Sequence, residues 1–357
     1  MGVEISPEHG THTFVEKVHI AGNKGPCGGV NMAWEATCQA LDLRDRFAGH
    51  RIEAENPEDI DPKYRVYSLW DIVHNTPVME ELSKRGLVSV NMKFNLIPRD
   101  AVAIKPAHGG PRSLDQLAMD MNWQMIDVTC QLVTRVQNLA LRAEEQGKHI
   151  AYIGVDGHPE TIGVMGNLKS ENVTLFEKPD DVQLSTLPAN KPAIVFSQTT
   201  LSPKEVIVVE SALQVKYPEI EVPNRLDICY ATYNRQEAVE RLLIEQHINM
   251  LIVVGSRHSH NSKELRALGL LSSIPSYLID YPQDLRLAWF TPWIKSVGIT
   301  SGASVFDRFL QPVVDKVVSM SPLVQMPIFE EQVIPEGDLT FKLPQKDIEA
   351  LRRRWAV

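Results

Sequence analysis

The chain is poor in cysteine, with four in 357 residues, and it has no run of 18 apolar residues free of charge. The second absence excludes a membrane-spanning helix of ordinary length. Basic runs are missing too: the longest is Arg352–Arg353–Arg354, and the formal net charge is −9. Nucleic-acid binding would want a basic stripe, so that class is set aside, and the triplet reads as a solvated helix face. The N-terminal "MGVEISPEHGTHTF" lacks the basic-then-apolar order of a secretory signal, so a cytoplasmic protein is expected. Four cysteines in a reducing compartment are not a disulfide set. They serve metal binding, catalysis or burial.

What is present is alternation. "KVHIAG", "RVYSLW", "AVAIKP", "HIAYIGV", "PAIVFSQ", "NMLIVVGS" and "IKSVGIT" read as short apolar strands. Between them lie helical patterns. "QLVTRVQNLALRAEEQG" stops at Gly147, and "SPKEVIVVESALQVKYP" starts on Ser202 as N-cap with Pro203 in the first turn. Strand–helix alternation predicts an α/β fold with mainly parallel sheets, in which ligands gather at the carboxyl ends of the strands. The expected segments are an N-terminal extension (1–16), three α/β domains (17–128, 129–226 and 227–320), and a tail (321–357) that packs on the body and ends in a short helix.

Three of the cysteines share one setting. Cys27 follows a strand and a glycine turn and opens "VNMAWEATCQALDL". Cys130 follows "QMIDVT" and opens "QLVTRVQNLAL", and Cys229 follows "RLDI" and opens "YATYNRQEAVERLLIEQ". They stand 103 and 99 residues apart, about one domain each. A helix N-terminus is expected to lower each thiol pKa, because its dipole favours the thiolate. Cys38, among Ala36, Ala40 and Leu41, reads as core. Polar residues recur in step with the cysteines: His74 and His108 after the first; His158 and Glu160, then Gln198, Thr199 and Thr200 after the second; Ser259 and Asn261, then Ser304 after the third.

Three such units around an axis would bring three thiolates to one point, ringed by histidine, hydroxyl and amide groups. Zinc is the rival metal, but C-x-x-C spacing is absent and structural zinc takes four ligands. Three thiolates without a fourth suit an iron–sulfur cluster with one open iron, a Lewis acid for an oxygen ligand. Donors for an anion, an open metal and a single carboxylic acid, Glu160, describe metal-assisted removal of a hydroxyl group.

The ordered motifs "GPCGGV", "VHN", "AHGG", "DVTC", "GHPETIGVMG", "QTTLS", "ICYATYNRQ" and "VVGS…SHNS" with "GAS" resemble those of the 4-hydroxy-3-methylbut-2-enyl diphosphate reductase (IspH/LytB) family. The likeness runs from about Lys17 to Leu310, and "FKLP" in the tail is similar as well. It implies three similar α/β domains about a pseudo-threefold axis with a central [4Fe-4S] cluster. The implied reaction is reductive removal of an allylic hydroxyl, giving isopentenyl and dimethylallyl diphosphate at the end of the methylerythritol phosphate route. On this resemblance Cys27, Cys130 and Cys229 hold the cluster, and His74, His108, Ser259, Asn261 and Ser304 hold the diphosphate. His158 and Glu160 handle protons, and Gln198, Thr199 and Thr200 line the pocket near the hydroxyl. The implied electron donor is a ferredoxin or flavodoxin. His260 stands where the family usually has a second serine and could add a phosphate contact; Pro26 and Phe306 also depart from the usual residues. Two other readings share the geometry: a non-redox [4Fe-4S] Lewis-acid dehydratase or hydratase of a related anionic substrate, and a cluster-bearing binding protein without turnover.

Overall fold

The computed structural model describes residues 15–223, 229–320, 327–334 and 340–355. "RLDI" ahead of Cys229 and most of the N-terminal extension lie outside the described residues. Among those described, twelve strands form three sheets in which every pairing is parallel. In chain order they are β1 (Lys17–Ile20), β2 (Val66–Ser68), β3 (Leu87–Ser89), β4 (Val102–Lys105), β5 (Gln124–Asp127) and β6 (His149–Ile153). Then come β7 (Val173–Phe176), β8 (Ala193–Ser197), β9 (Met250–Val254), β10 (Ser276–Ile279), β11 (Ser296–Ser301) and β12 (Ile328–Glu330).

The chain divides into two compact units. One joins Met1–Gly25 to Asn234–Pro335, and the other joins Pro26–Tyr233 to Glu336–Val357. The larger unit holds two sheets, ordered β3-β2-β4-β5 and β7-β6-β8. Every residue of β6 is buried, which is why "HIAYI" reads as a continuous apolar run: helices cover both faces of a parallel sheet. The helix Pro203–Lys216 covers one face with Val206, Val209 and Leu213. Its start matches the sequence, since Ser202 Oγ accepts from Glu205 N (3.1 Å) and the Glu205 carboxylate accepts from Ser202 N (2.8 Å). The helix Gln131–Glu145 ends as expected, with Gly147 in the left-handed region at φ 80°. The tail helix Gln345–Trp355 belongs to this unit: Asp347 accepts from Asp127 N at 3.0 Å, and Trp355 stacks on Phe47.

The smaller unit is one sheet, β10-β9-β11-β1-β12, with Val313, Val314 and Val317 of the helix Asp307–Ser319 in its core. Here the chain departs from a simple three-segment division. Strand β1, expected to open the segment 17–128, pairs instead with β11 (Val18 opposite Val297) and with β12 (Val18 opposite Ile328). The reason is burial: Val18 and Ile20 find their apolar partners in the core of this sheet, with Ile252, Val297 and Ile299.

Candidate functional site

The three thiols begin helices, as their setting in the sequence suggests. Cys27 is the N-cap of the helix Gly28–Ala48, Cys130 is the N-cap of Gln131–Glu145, and Cys229 directly precedes Tyr230–Ile244. Backbone bonds fix two of them to strand-end loops, Cys130 N to Ala107 O (2.9 Å) and Cys229 N to Thr199 O (2.8 Å). The sulfurs sense one another. Burial, and then the charges of Cys27 and Cys229, push the Cys130 thiol well above the ordinary range. The backbone N–H groups of Leu132 and Val133 act the other way but are outweighed, so the expected lowering at the helix start is reversed for Cys130. Held as a thiol in this way, Cys130 would need a bound cation to become a thiolate beside the other two.

Glycine makes this approach possible. A Cβ on Gly29 would lie 2.8 Å from Cys130 Sγ, and one on Gly28 would lie 2.2 Å from the ring of Phe341. Phe341, in the tail motif "FKLP", therefore covers the first helical turn after Cys27. Sequence reasoning noted the motif but gave Phe341 no place. Cys38 sits in mid-helix, but it is half-buried rather than core and acts electrostatically on Arg85.

Three imidazoles gather in the same unit. The His74 and His108 ring centroids are 4.2 Å apart, and His158 lies 5.7 Å from His74 and 5.8 Å from His108. Desolvation, then repulsion from His74 and His158, holds the His108 pKa well below its usual 6.5. Its Nδ1 is buried with no hydrogen-bond partner. His158 caps the short helix Pro159–Met165, its Nδ1 accepting from Glu160 N at 3.2 Å, so the neutral ring carries its proton on Nε2.

Glu160 points away from solvent altogether, with no exposed surface. Its two carboxylate oxygens accept from Thr199 N (2.7 Å) and Thr199 Oγ1 (3.0 Å). Burial nevertheless wins and raises its pKa from 4.5 to about 7, with the Thr199 bonds pulling it back down. Next to this pair, Gln198 accepts from Val155 N (3.0 Å) and Thr161 Oγ1 (3.2 Å) and donates to Thr200 Oγ1 (2.7 Å). Accepting that bond leaves the Thr200 hydroxyl its own proton to donate. Thr161, absent from the expected set, is thus the anchor that orients Gln198.

Ser259, His260, Asn261 and Ser304 belong to the smaller unit and group among themselves at the carboxyl ends of β9 and β11. Ser259 is the N-cap of the helix His260–Leu271, accepting from Ser262 N at 3.3 Å, and His260 is the first residue of that helix. Asn261 is buried; its Oδ1 accepts from Ala303 N at 3.3 Å, beside Ser304, while its Nδ2 has no partner. Ser262 fits between Gly255 and Gly302, where a Cβ would come within 2.3 and 2.2 Å of its Oγ. The glycine turn leading to Cys27 is held here as well. Gly25 has φ 78°, its N–H donates to Ser301 Oγ (2.9 Å), and its carbonyl accepts from buried Arg235 (2.7 Å). A buried arginine in "YNRQ" is the sequence signal for that restraint.

Parallel sheets that present cysteines at helix starts, with clustered histidines and a buried acid at strand ends, define an α/β protein that carries soft sulfur donors beside acid–base side chains. The particular family follows from comparison. The chain matches the family described as LytB protein over residues 18–318, and it belongs to that family. The 4-hydroxy-3-methylbut-2-enyl diphosphate reductase of Francisella tularensis subsp. novicida (strain U112) is 33% identical over 331 residues, 92% of this chain and 96% of that one. Its counterpart in F. tularensis subsp. tularensis (strain WY96-3418) is 34% identical over the same shares. Among solved structures, the E-1-hydroxy-2-methyl-but-2-enyl-4-diphosphate reductase of Plasmodium falciparum matches with a TM-score of 0.82 at 26% identity, covering 95% of this chain and 99% of that one. A structure of (E)-4-hydroxy-3-methyl-but-2-enyl diphosphate reductase, the terminal enzyme of the non-mevalonate pathway, matches with a TM-score of 0.56 at 24% identity over 85% of this chain, and supports the fold alone.

Proposed function

We propose that this protein is an iron–sulfur reductase that converts 4-hydroxy-3-methylbut-2-enyl diphosphate to isopentenyl and dimethylallyl diphosphate. The observation that carries the reading is that one compact unit joins three helix-start thiols, three clustered histidines and the buried Glu160–Thr199 pair. Family membership supports it. Cys27, Cys130 and Cys229 would hold a [4Fe-4S] cluster: the donor set is soft, lacks a fourth cysteine of the same setting, and is given room by Gly29. When bound, the cluster would relay electrons from the external donor one at a time and offer an open iron site. The overall change takes up two electrons and two protons, breaks the allylic C–O bond and releases water.

The remaining work falls to the side chains. His74 and His108 bind the diphosphate, and Ser259, Asn261 and Ser304, with His260, contribute hydroxyl, amide and imidazole donors to it. His158, Gln198, Thr199 and Thr200 orient the hydroxyl end. Glu160 delivers a proton through Thr199 or Thr200, because it is the one carboxylic acid in the set. Electrons come from a ferredoxin or flavodoxin. The division into three α/β segments is retained with β1 exchanged into the third, and a cytoplasmic location fits four free cysteines.

The direct test is anaerobic turnover with a chemical reductant, read as the two five-carbon diphosphate products. Turnover without reductant would favour the Lewis-acid dehydratase instead, and no turnover at all with full cluster loading would favour a binding protein.

Two further outcomes follow from the geometry. His108 is held neutral near pH 7, and a diphosphate beside it reverses that preference, so substrate binding should take up a proton. Calorimetry in buffers of different ionisation enthalpy should show uptake approaching about one proton near pH 7, with affinity falling as pH rises from 6 to 8. His108→Asn should remove the uptake, and His74→Ala or His108→Ala should raise KM at least tenfold, since each charge-assisted bond is worth about 1.5–3 kcal/mol. Gly29→Ala should place a methyl group against Cys130 Sγ. Reconstituted iron content should then fall while the far-ultraviolet circular dichroism stays that of the wild type.

A further inference from the structure

The smaller unit also holds a cleft of about 890 Å³ along the edge strand β10, lined by none of the residues assigned above. That volume lies within the range of small-molecule sites, roughly 300–1,000 Å³. Its walls carry Arg257 beyond β9, Arg266 on the helix His260–Leu271, and Arg286 beyond β10, with Tyr277 and Trp289 between them. The two rings lie flat on each other, centroids 3.8 Å apart and planes 4° apart, and both pack against the core of the sheet. They form a fixed aromatic platform. The Arg286 guanidinium stands 6.0 Å from the Trp289 ring centre.

The arginines are exposed, yet among the described residues none forms an ion pair; apart from the Arg286 contact with Trp289, the three make one hydrogen bond there, from Arg266 Nε to Ser276 O (3.0 Å). Asp280 and Asp284 line the same cleft. Asp284 is already engaged, its Oδ2 accepting from the backbone of Asp280 (3.1 Å) and Tyr281 (2.9 Å). In a chain with 45 acidic and 36 basic residues, three guanidinium groups line one cleft against two carboxylates, and among the described residues none of the three is ion-paired, which suits an outside anion. Guanidinium forks match phosphate oxygens in pairs, and an aromatic platform takes a flat or apolar group.

We propose that this cleft binds an organic diphosphate, with its phosphates on Arg257, Arg266 and Arg286 and its organic part against Tyr277 and Trp289. The site is separate from the proposed reaction and does not rest on it. Two sources share this chemistry, a nucleoside diphosphate and a prenyl diphosphate, and titration distinguishes them. Holoprotein without reductant is saturated with the allylic diphosphate, then titrated calorimetrically with ADP, with geranyl diphosphate and with inorganic pyrophosphate.

One of the two organic ligands should bind one-to-one, at least tenfold more tightly than pyrophosphate. Its affinity should drop at least tenfold in Arg286→Glu and in Arg266→Glu, with KM for the allylic diphosphate unchanged in both variants. Arg286 is exposed, so its replacement leaves the core intact. ADP binding assigns the nucleoside source and geranyl diphosphate binding the prenyl one. Absence of binding by either at millimolar concentration, binding indifferent to Arg286→Glu, or pyrophosphate binding as tightly as both would overturn the proposal.

Discussion

Glu160→Gln should lower kcat by roughly 10²–10⁴ while the allylic diphosphate still binds. Removal of a hydroxyl needs a proton at the leaving oxygen, and Glu160 is placed to store one. It is fully buried and its pKa is raised to about 7, because desolvation exceeds the pull of the two Thr199 bonds. Between the ordinary value of 4.5 and about 7 the folded protein keeps this proton while the unfolded chain has lost it. Wild-type turnover should therefore decline as pH rises through about 7, and the residual activity of Glu160→Gln should lose that limb. Stability gives an independent reading. The buried carboxylate costs stability increasingly as pH rises through that window, so Glu160→Gln should gain melting temperature over wild type at pH 8 relative to pH 4. If Glu160 merely favours the first turn of its helix, an effect of about 0.3–1 kcal/mol, kcat should stay within a few-fold. Near-normal turnover would pass the proton role to His158.

Cys27→Ser, Cys130→Ser and Cys229→Ser should each abolish turnover and reduce bound iron, whereas Cys38→Ser should leave both nearly intact. A serine hydroxyl is a far poorer soft-metal ligand than a thiolate. The three positions are equivalent in construction, each at a helix start, and the Cys130 thiol is pushed up by the charges of the other two. Cys38 lies in the middle of its helix, half-buried, and acts electrostatically on Arg85. Retention of full iron by all three ligand variants would sink the assignment.

Sheet interiors were legible in the sequence, and sheet edges only in part: β8, at the edge of its sheet, also shows as an apolar run. The central strands β2, β4, β6, β9, β11 and β1 show as apolar runs because helices or neighbours cover them. The four strands the apolar pattern passes over, β3, β7, β10 and β12, all lie at sheet edges, and their burial is partial or nil. The destination of β1 was hidden for a related reason. "KVHI" states that it is buried but not against what, and its partners β11 and β12 lie far along the chain, Val18 pairing with Val297 and Ile328.

The site was legible wherever a residue type is costly to place without purpose. Cysteines at helix starts, histidines at strand ends and the lone acid in "GHPE" all stood out. The supporting residues were not: Thr161 behind Gln198, Phe341 over Gly28, and Arg235 with Ser301 around Gly25 are ordinary letters until tertiary contacts give them a role. The direction of the Cys130 pKa was missed because burial and neighbouring thiols are properties of the fold, whereas the helix start could be read locally.

The most direct test of the central claim is Mössbauer spectroscopy of anaerobic, ⁵⁷Fe-reconstituted protein before and after addition of 4-hydroxy-3-methylbut-2-enyl diphosphate. The expected result is about four irons per chain, one of them distinct from the other three and changing its parameters when the substrate is added. A chain that takes up no cluster, or a cluster whose irons are all alike and indifferent to the substrate, would contradict it.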